Sequence, residues 1–455
     1  MKWVTRRTSI ALLIVLFCPG CSPSKVERVP LVISRHSPPA TDKVLAHAFY
    51  PYTGRAKRGV DTSTLNGKVM CGYQGWFSTK TDGSGRGWFH WGRGGEFGPG
   101  KCTVELWPDM TECGADERFP TGFNDPDGGA AEVFSSYKRE TVLRHFKWMH
   151  DYGIDGAFVQ RFVGSISNRQ ISLNFTQTVL NHCREGANNY GRAYAVMYDL
   201  SGQKGDVDDR LITDWKRLVD RAHITRDKKD KAYLHHNGRP VVAVWGIGFG
   251  DNRKYTLDDC ERIVDFLKDD PRYGGNTVML GVPSWWRELK RDAVSDPGLH
   301  KILLKADIIS PWAVGRFGPA GVKRHWEEVI VPDIAWCKKN KKDYLPVVFP
   351  GFSWSNLKEG AKFDHIPRQG GRFLWSQFAQ AKKAGAKMVY QAMFDEVDEA
   401  TAIFKCTNNP PVSDKNRFLT YEGLPSDHYL KLVGKAAEMI SGKIPFIEEL
   451  PKLNP

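Results

Sequence analysis

Residues 388–405 read MVYQAMFDEVDEATAIFK. The apolar run 388–394 predicts a buried strand, and four acids follow it at once: Asp395, Glu396, Asp398 and Glu399. Like charges this close oppose one another's ionisation, so such crowding is usually kept for chemistry. Hydrolysis of a glycosidic bond needs a pair of acids, one to protonate the leaving oxygen and one to act on the other side of the sugar. The alternative is a strand that ends in a solvated acidic turn.

Seven more apolar runs precede this one, each followed by a loop rich in Gly, Trp and polar residues. They are 69–77, 156–162, 193–200, 241–249, 277–282, 307–314 and 345–352. Strands that are apolar throughout are typical of a parallel sheet flanked by helices. Amphipathic stretches between them predict helices at 138–152, 211–223, 257–267, 325–338 and 372–384. Eight such units in order predict an α/β fold, the (β/α)8 TIM barrel.

The competing fold is a doubly wound open sheet, for which a strand–GxGxxG–helix unit would be the signature. No such unit occurs in the sequence. Gly83, Gly85 and Gly87 lie in a Ser/Arg loop instead of opening a helix, so we interpret them as turn residues.

In a (β/α)8 barrel, the carboxyl ends of the strands converge on one mouth. The candidate substrate contacts at these ends are Tyr73, Gln74, Trp76, Gln160, Arg161, Asp199, Trp245, Trp285, Trp312, Trp354 and Asp395. Flat aromatic rings stack on sugars, and polar groups bind their hydroxyls. A single tryptophan such as Trp245 is more often a packing residue, but the joint pattern predicts a sugar-binding cleft.

The amino terminus resembles an export signal. Basic residues precede the apolar stretch 9–17, which is too short to span a bilayer as a helix. The stretch leads to CPGC at 18–21, which resembles a bacterial lipoprotein processing site with lipid on Cys21. Ordinary cleavage and an uncleaved anchor are the alternatives. We expect a signal peptide at 1–20, an extended tether at 21–62, the catalytic domain at 63–442 and a tail at 443–455.

The charge and the spacing of the cysteines limit which ligands and partners we expect. The net charge of +13 falls to +10 without residues 1–20, which suits a surface that meets anionic polysaccharide, or simply favours solubility. Scattered Lys and Arg without a binding motif argue against nucleic acid. Seven cysteines remain when residues 1–20 are removed and Cys21 is lipidated, and none of them has metal-binding spacing, so we expect no metal or cofactor. We also expect a monomer. Cys102 and Cys113 share one loop and could form a disulfide, while the stretch 124–128, NDPDG, is a turn or a calcium loop, of which we favour the turn.

The acidic segment also carries a family resemblance. Residues 394–403, FDEVDEATAI, resemble the segment FNEWHEGTQI of glycoside hydrolase family 99, the endo-α-mannosidases and endo-α-mannanases. These are (β/α)8 barrels related to family 71. The stretches 67–77, GKVMCGYQGWF, and 156–162, GAFVQRF, resemble exported bacterial proteins of this wider group, often labelled xylosidase or arabinosidase. The resemblance spans roughly residues 63–440.

This resemblance implies that Glu396 is the general base and Glu399 the general acid/base. In the family, the base deprotonates the sugar's own 2-hydroxyl, which attacks the anomeric carbon to give an epoxide, and configuration is retained. Here Val397 and Asp398 replace the family's Trp and His, and Asp395 replaces its Asn. Asp398 either raises the pKa of Glu399, as suits an acid, or marks the loss of the mannose-recognising surface.

The sequence therefore predicts an exported, lipid-anchored glycosidase that acts on a polysaccharide or glycan, including anionic ones. One alternative is a non-catalytic surface glycan-binding lipoprotein that has the same cleft. Another is a polysaccharide lyase for acidic glycans, which would use the positive charge but needs a Tyr, His or Lys base.

Overall fold

The computed structural model describes residues 47–166 and 169–453. Its strands are β1 (Val69–Tyr73), β2 (Phe119–Asn124), β3 (Ala130–Val133), β4 (Gly156–Phe162), β5 (Ala193–Asp199), β6 (His235–His236), β7 (Arg239–Trp245), β8 (Thr277–Val282), β9 (Ile308–Pro311), β10 (Asp343–Tyr344), β11 (Val347–Val348) and β12 (Val389–Gln391). Its helices are α1 (Arg139–Asp151), α2 (Gln170–Tyr190), α3 (Val207–Asp220), α4 (Leu257–Asp269), α5 (Gly298–Lys305), α6 (Val322–His325), α7 (Val331–Lys339), α8 (Arg372–Lys383) and α9 (His428–Ser441). A π-helical turn, Trp326–Ile330, joins α6 to α7.

Parallel strands form the centre of the molecule, in the order β10-β9-β8-β7-β5-β4-β1-β12-β11. β10 and β11 belong to one stretch of chain, interrupted where Pro346 has no N–H to donate to a neighbouring strand. The Leu345 N–H donates to the Ile309 carbonyl, and the Pro346 carbonyl accepts from the Tyr390 N–H. This stretch therefore joins β9 to β12 and closes the ring. The predicted (β/α)8 barrel is confirmed.

The barrel strands are buried on both faces, as their continuous apolar runs predicted. Every residue of β1, β5 and β8 is buried. The predicted helices 138–152, 257–267 and 372–384 correspond to α1, α4 and α8. Three helices were not predicted: α2, α5 and α9. α2 escaped recognition because its buried face mixes apolar side chains with Gln177, Arg184 and Asn188, which obscures the helical period.

Residues 47–62 fall within the predicted tether, yet they lie against the barrel domain. Phe49 and Tyr52 are buried, and the Lys57 N–H donates to the Asn188 carbonyl at the end of α2. At the other end, Ile444 and Ile447 of the predicted tail pack against the core. The predicted signal peptide, Cys21 and residues 22–46 lie outside the described residues. Among the described helices, none combines the length and apolar character needed to cross a bilayer.

The structure shows the conformation of three loops for which the sequence made predictions. Gly83, Gly85 and Gly87 have positive φ angles, which confirms them as turn residues. The stretch 125–128 is a hairpin turn between β2 and β3, closed by the Gly128 N–H donating to the Asp125 carbonyl. The Cys102–Cys113 disulfide is wrong: both are free thiols, and Cys102 donates to the Val104 carbonyl instead.

Candidate active site

The acidic segment forms a tightly folded loop after β12. The N–H groups of Thr401 and Ala402 both donate to the Glu396 carbonyl. The buried Arg368 guanidinium donates to the carbonyls of Ala400 and Ala402, at 2.7 and 2.6 Å. Backbone and guanidinium together fix the direction in which the four acids leave the loop.

Glu396 is held by two side chains. Its Oε1 accepts from the Gln74 amide at 2.5 Å, and its Oε2 accepts from the Thr401 hydroxyl at 2.6 Å. Only 3% of the residue is exposed, and burial, then the charges of Glu399 and Asp398, raise its pKa well above the ordinary value. The two hydrogen bonds oppose that rise because they stabilise the carboxylate. Glu396 is thus a buried, firmly oriented acid that can hold or release a proton.

Glu399 faces a cavity of about 610 Å³. Trp245, Trp312 and Trp354, all predicted as substrate contacts, line the same cavity. Burial, with smaller contributions from Asp398 and Asp199, raises the pKa of Glu399 to about 8. A carboxyl group with this pKa keeps its proton at neutral pH and can give it to a leaving group.

Asp395 acts on the backbone. It is fully buried, and its two oxygens accept from the N–H groups of Gln74 and Gly75 at 2.7 and 2.8 Å. Burial raises its pKa to about 7. The expectation that Asp395 contacts substrate is therefore corrected: it fixes the turn after β1 and so positions the Gln74 amide against Glu396.

His90 is a site residue that the sequence did not reveal. Its Nδ1 lies 2.9 Å from Asp398 Oδ2, and its ring stacks on Trp76 with centroids 3.5 Å apart. Phe162 also stacks on Trp76, at 4.9 Å. Trp76 was predicted as a substrate contact, but the protein rings of His90 and Phe162 already stack on its indole. His90 stands in an irregular loop far from the acids in sequence, where no period or motif marks it.

Two predicted contacts lie on the helix side of the barrel instead of in its mouth. Arg161 forms a bidentate ion pair with Asp214 of α3, at 2.5 and 2.7 Å. The Tyr73 hydroxyl lies 2.8 Å from His145 Nδ1 of α1. Successive side chains on a strand point to opposite faces. Their neighbours Gln74 and Gln160 accordingly point inward.

Of the remaining candidates, Gln160 and Asp199 lie near the acids, and Trp285 lines neither cavity. The Gln160 amide lies 3.3 Å from the buried Tyr390 hydroxyl, and Asp199 at the end of β5 is close enough to influence the pKa of Glu399. Trp285 lies outside the lining of both cavities next to the acids. The Arg291 guanidinium lies 4.5 Å from the centre of its ring.

A second cavity, of about 270 Å³, is lined by side chains that hold two of the acids. Gln74, Trp76, His90 and Gln160 line it. Gln74 is bonded to Glu396, and His90 is bonded to Asp398. Glu399 therefore lines the larger cavity, and the hydrogen-bond partners of Glu396 and Asp398 line the smaller one.

Activity is expected to fall as pH rises through about 8, since the raised pKa of Glu399 keeps it protonated below that value and lets it ionise above. Because Glu396 and Glu399 interact, the lower limb of the profile belongs to the pair and not to one residue. The measurement is kcat/KM against pH on a glycan substrate. A rate that stays level or climbs between pH 8 and 10 would contradict Glu399 as proton donor.

No protein-family model and no curated relative matches the chain. Among solved structures, it is similar to a GH99 endo-α-mannosidase from Bacteroides thetaiotaomicron in complex with bis-tris-propane, with a TM-score of 0.56 and 15% identity over 84% of this chain and 100% of that chain. A second structure of a GH99 endo-α-mannosidase from that organism gives 0.54, with the same identity and coverage. A glycoside hydrolase-like protein gives 0.50 and 11% identity over 86% of this chain and 98% of that one. The likeness shows that the chain has the barrel fold of these proteins.

Proposed function

We propose that this protein is a glycoside hydrolase that cleaves a glycosidic bond in a polysaccharide or glycan. The observation that carries the proposal is the acid pair beside two cavities: Glu399 lines the larger one, and Glu396 accepts a hydrogen bond from Gln74, which lines the smaller one. Both acids have raised pKa values in a buried setting. Similarity of fold to GH99 endo-α-mannosidases supports the same class of reaction.

In the proposed mechanism, Glu399 gives its proton to the oxygen of the departing sugar as the bond to the anomeric carbon breaks. Glu396 acts as base and takes the proton of the 2-hydroxyl, whose oxygen attacks the anomeric carbon. Water, with Glu399 as base, then attacks the anomeric carbon and breaks its bond to the 2-oxygen, to which Glu396 returns the proton; configuration is thereby retained. The bonds from Gln74 and Thr401 favour the ionised Glu396 that the first step needs.

The second candidate is a non-catalytic glycan-binding protein with the same cleft. Glu396 itself favours it, because strong burial raises the pKa of that carboxyl and a protonated Glu396 cannot act as a base. The two candidates differ in a single observable: whether bonds break.

A glycan screen tests the proposal. Purified protein is incubated with a panel of polysaccharides, and new reducing ends and unsaturated ends are measured in the same samples. We expect new reducing ends without unsaturated ends on at least one glycan. Unsaturated ends would instead identify a lyase, and binding without cleavage would support the second candidate.

Trp354→Ala is expected to weaken glycan binding by about tenfold, because Trp354 is a partly exposed ring in the wall of the cavity that Glu399 faces. Its melting temperature should stay nearly unchanged. The matched control is Trp286→Ala, since Trp286 is fully buried and its truncation should cost about 3–5 kcal/mol of stability. Calorimetric binding and thermal unfolding of both variants decide the matter. A large loss of stability in Trp354→Ala would place that ring in the core.

We also propose that the protein is exported and anchored by lipid on Cys21. The support is the sequence: basic residues, a short apolar stretch and Gly20-Cys21. Wild-type protein should fractionate with membranes and remain there in high salt, since several acyl chains anchor stably. Cys21→Ser should leave an unprocessed precursor whose mass includes residues 1–20. A soluble wild-type protein with an unmodified amino terminus would refute the anchor and leave the enzyme proposal intact.

A further inference from the structure

The smaller cavity next to Glu396 is basic. Arg86, His90 and Arg169 line it, and no aspartate or glutamate does so among the described residues. Its position ties it to the proposed catalysis, because Gln74 contributes to its wall and bonds Glu396. A ligand bound in this cavity would therefore contact basic side chains, with only the Gln74 side chain between it and Glu396.

Arg86 is the most unusual of these residues. Its guanidinium packs on two rings, 3.6 Å from the centre of Phe89 and 4.6 Å from that of Phe175. Its Nη1 donates to the Trp76 carbonyl at 3.2 Å. Burial lowers its pKa to about 10, so the charge is held in a poorly solvated place.

Arg86 has no carboxylate partner within the described ranges. The acid that influences it is Asp82, and both Asp82 oxygens are engaged elsewhere: Oδ2 accepts from the Thr79 N–H and the Ser135 hydroxyl, and Oδ1 accepts from the Ser84 N–H. Charges removed from water are normally paired. A poorly solvated guanidinium without a carboxylate partner, at the wall of a cavity, is therefore a position where an anionic ligand group would complete the pairing.

The same cavity presents polar atoms suited to a sugar ring. Gln74 and Gln160 are 9% and 7% exposed, and the amide oxygen of each is buried without a hydrogen-bond partner among the described residues. The Trp76 indole N–H is in the same state. Buried polar atoms are nearly always satisfied. The three side chains line the cavity, so a small rotation of each would bring these atoms to sugar hydroxyls, which donate and accept.

We propose that this cavity binds a sugar residue that carries a carboxylate or sulfate group, with Arg86 and Arg169 on the anion and Gln74, Gln160 and Trp76 on the hydroxyls. The inference rests on the proposed function and names its substrate class: an anionic polysaccharide, cleaved next to a charged residue. The net charge of +10 that remains without residues 1–20 adds attraction at longer range.

The test uses Glu399→Gln protein, so that ligands stay intact, and calorimetric binding of size-matched oligosaccharides. The probes are neutral mannan and xylan fragments, uronic alginate fragments and sulfated carrageenan fragments. We expect at least one anionic series to bind about tenfold or more tighter than the neutral ones, with an advantage that shrinks in high salt. The alginate and carrageenan arms decide between carboxylate and sulfate.

Added substitutions then locate the charge. Arg86→Gln and Arg169→Gln should each remove about tenfold or more of the affinity for the anionic series, since a charge-assisted hydrogen bond is lost. Arg169 is exposed, so its variant stays folded even if Arg86→Gln loses packing. Arg324→Gln removes the same charge at an exposed position outside the cavity and should change nothing.

Equal binding of neutral and anionic series, no binding of any anionic probe, or equal effects of Arg169→Gln and Arg324→Gln would overturn the subsite. The proposed function fails in a different way: wild-type protein would show the same preference in binding and cleave none of the glycans. Cleavage without any preference for anionic glycans would overturn the subsite alone.

Discussion

Glu399→Gln is expected to lower kcat on natural glycans by about 10²–10⁴, the contribution usual for general acid catalysis. The amide cannot supply the proton that the departing sugar needs. On substrates whose leaving group needs no proton, such as activated aryl glycosides, kcat/KM should be spared, because it reports the first step; kcat should still fall, because Glu399 also acts as the base for water in the second step. Steady-state kinetics on both kinds of substrate measure the difference.

Glu396→Gln is the matched variant, in the same loop and with the same change of group. Without its base, the sugar's 2-hydroxyl is not activated, so turnover should be abolished on both kinds of substrate. Equal, mild losses in the two variants would contradict both assignments and favour the glycan-binding protein. Thermal unfolding controls for the loss of the Gln74 and Thr401 contacts in Glu396→Gln.

Arg161→Met is expected to lower the free energy of unfolding by about 3–5 kcal/mol, because it leaves Asp214 charged and buried without its partner. Both side chains of this ion pair are almost wholly buried, at 2% and 0% exposed. Denaturant unfolding measures the loss. Glycan binding by the folded protein should be unchanged, since Arg161 points away from the mouth.

Gln160→Met is the control from the adjacent position on β4. Its side chain lines the smaller cavity, so it should weaken glycan binding with little loss of stability. The double variant Arg161→Met with Asp214→Leu should recover much of the lost stability, because no buried charge is left alone. If Arg161→Met weakened glycan binding without destabilising the protein, our placement of Arg161 outside the mouth would be wrong.

The fold could be predicted from the sequence because the barrel strands are apolar throughout. A strand that is buried on both faces has apolar residues at every position, instead of at alternate ones. The seventh strand was harder to delimit, since Pro346 splits it into two short pieces. The helix α2 was missed for a physical reason: tertiary contacts bury its Gln177 and Asn188, so its buried face is partly polar. Packing, rather than apolar periodicity, makes that segment a helix.

The site was readable only in part. The acids cluster in sequence, so Glu396 and Glu399 stand out, and three of the predicted tryptophans line the cavity of Glu399. Arg161 and Tyr73 were misplaced because each was assigned to the mouth together with its neighbour in sequence, Gln160 or Gln74. Successive side chains of a strand point to opposite faces, so only one of each pair can point into the mouth. His90 and Arg86 could not be found from sequence, since loops without periodicity bring them to the acids. Only the fold shows that they meet.

The central claim is that the acid pair hydrolyses a glycosidic bond, and the most direct measurement is product analysis in water labelled with heavy oxygen. The best glycan from the screen is digested briefly, the new ends are reduced at once with borohydride, and the fragments are weighed by mass spectrometry. We predict one heavy oxygen on the anomeric carbon of each newly formed reducing end, and no such product with Glu396→Gln. Unlabelled fragments with an unsaturated end, or a glycan that stays intact while bound to the wild-type protein, would contradict the claim.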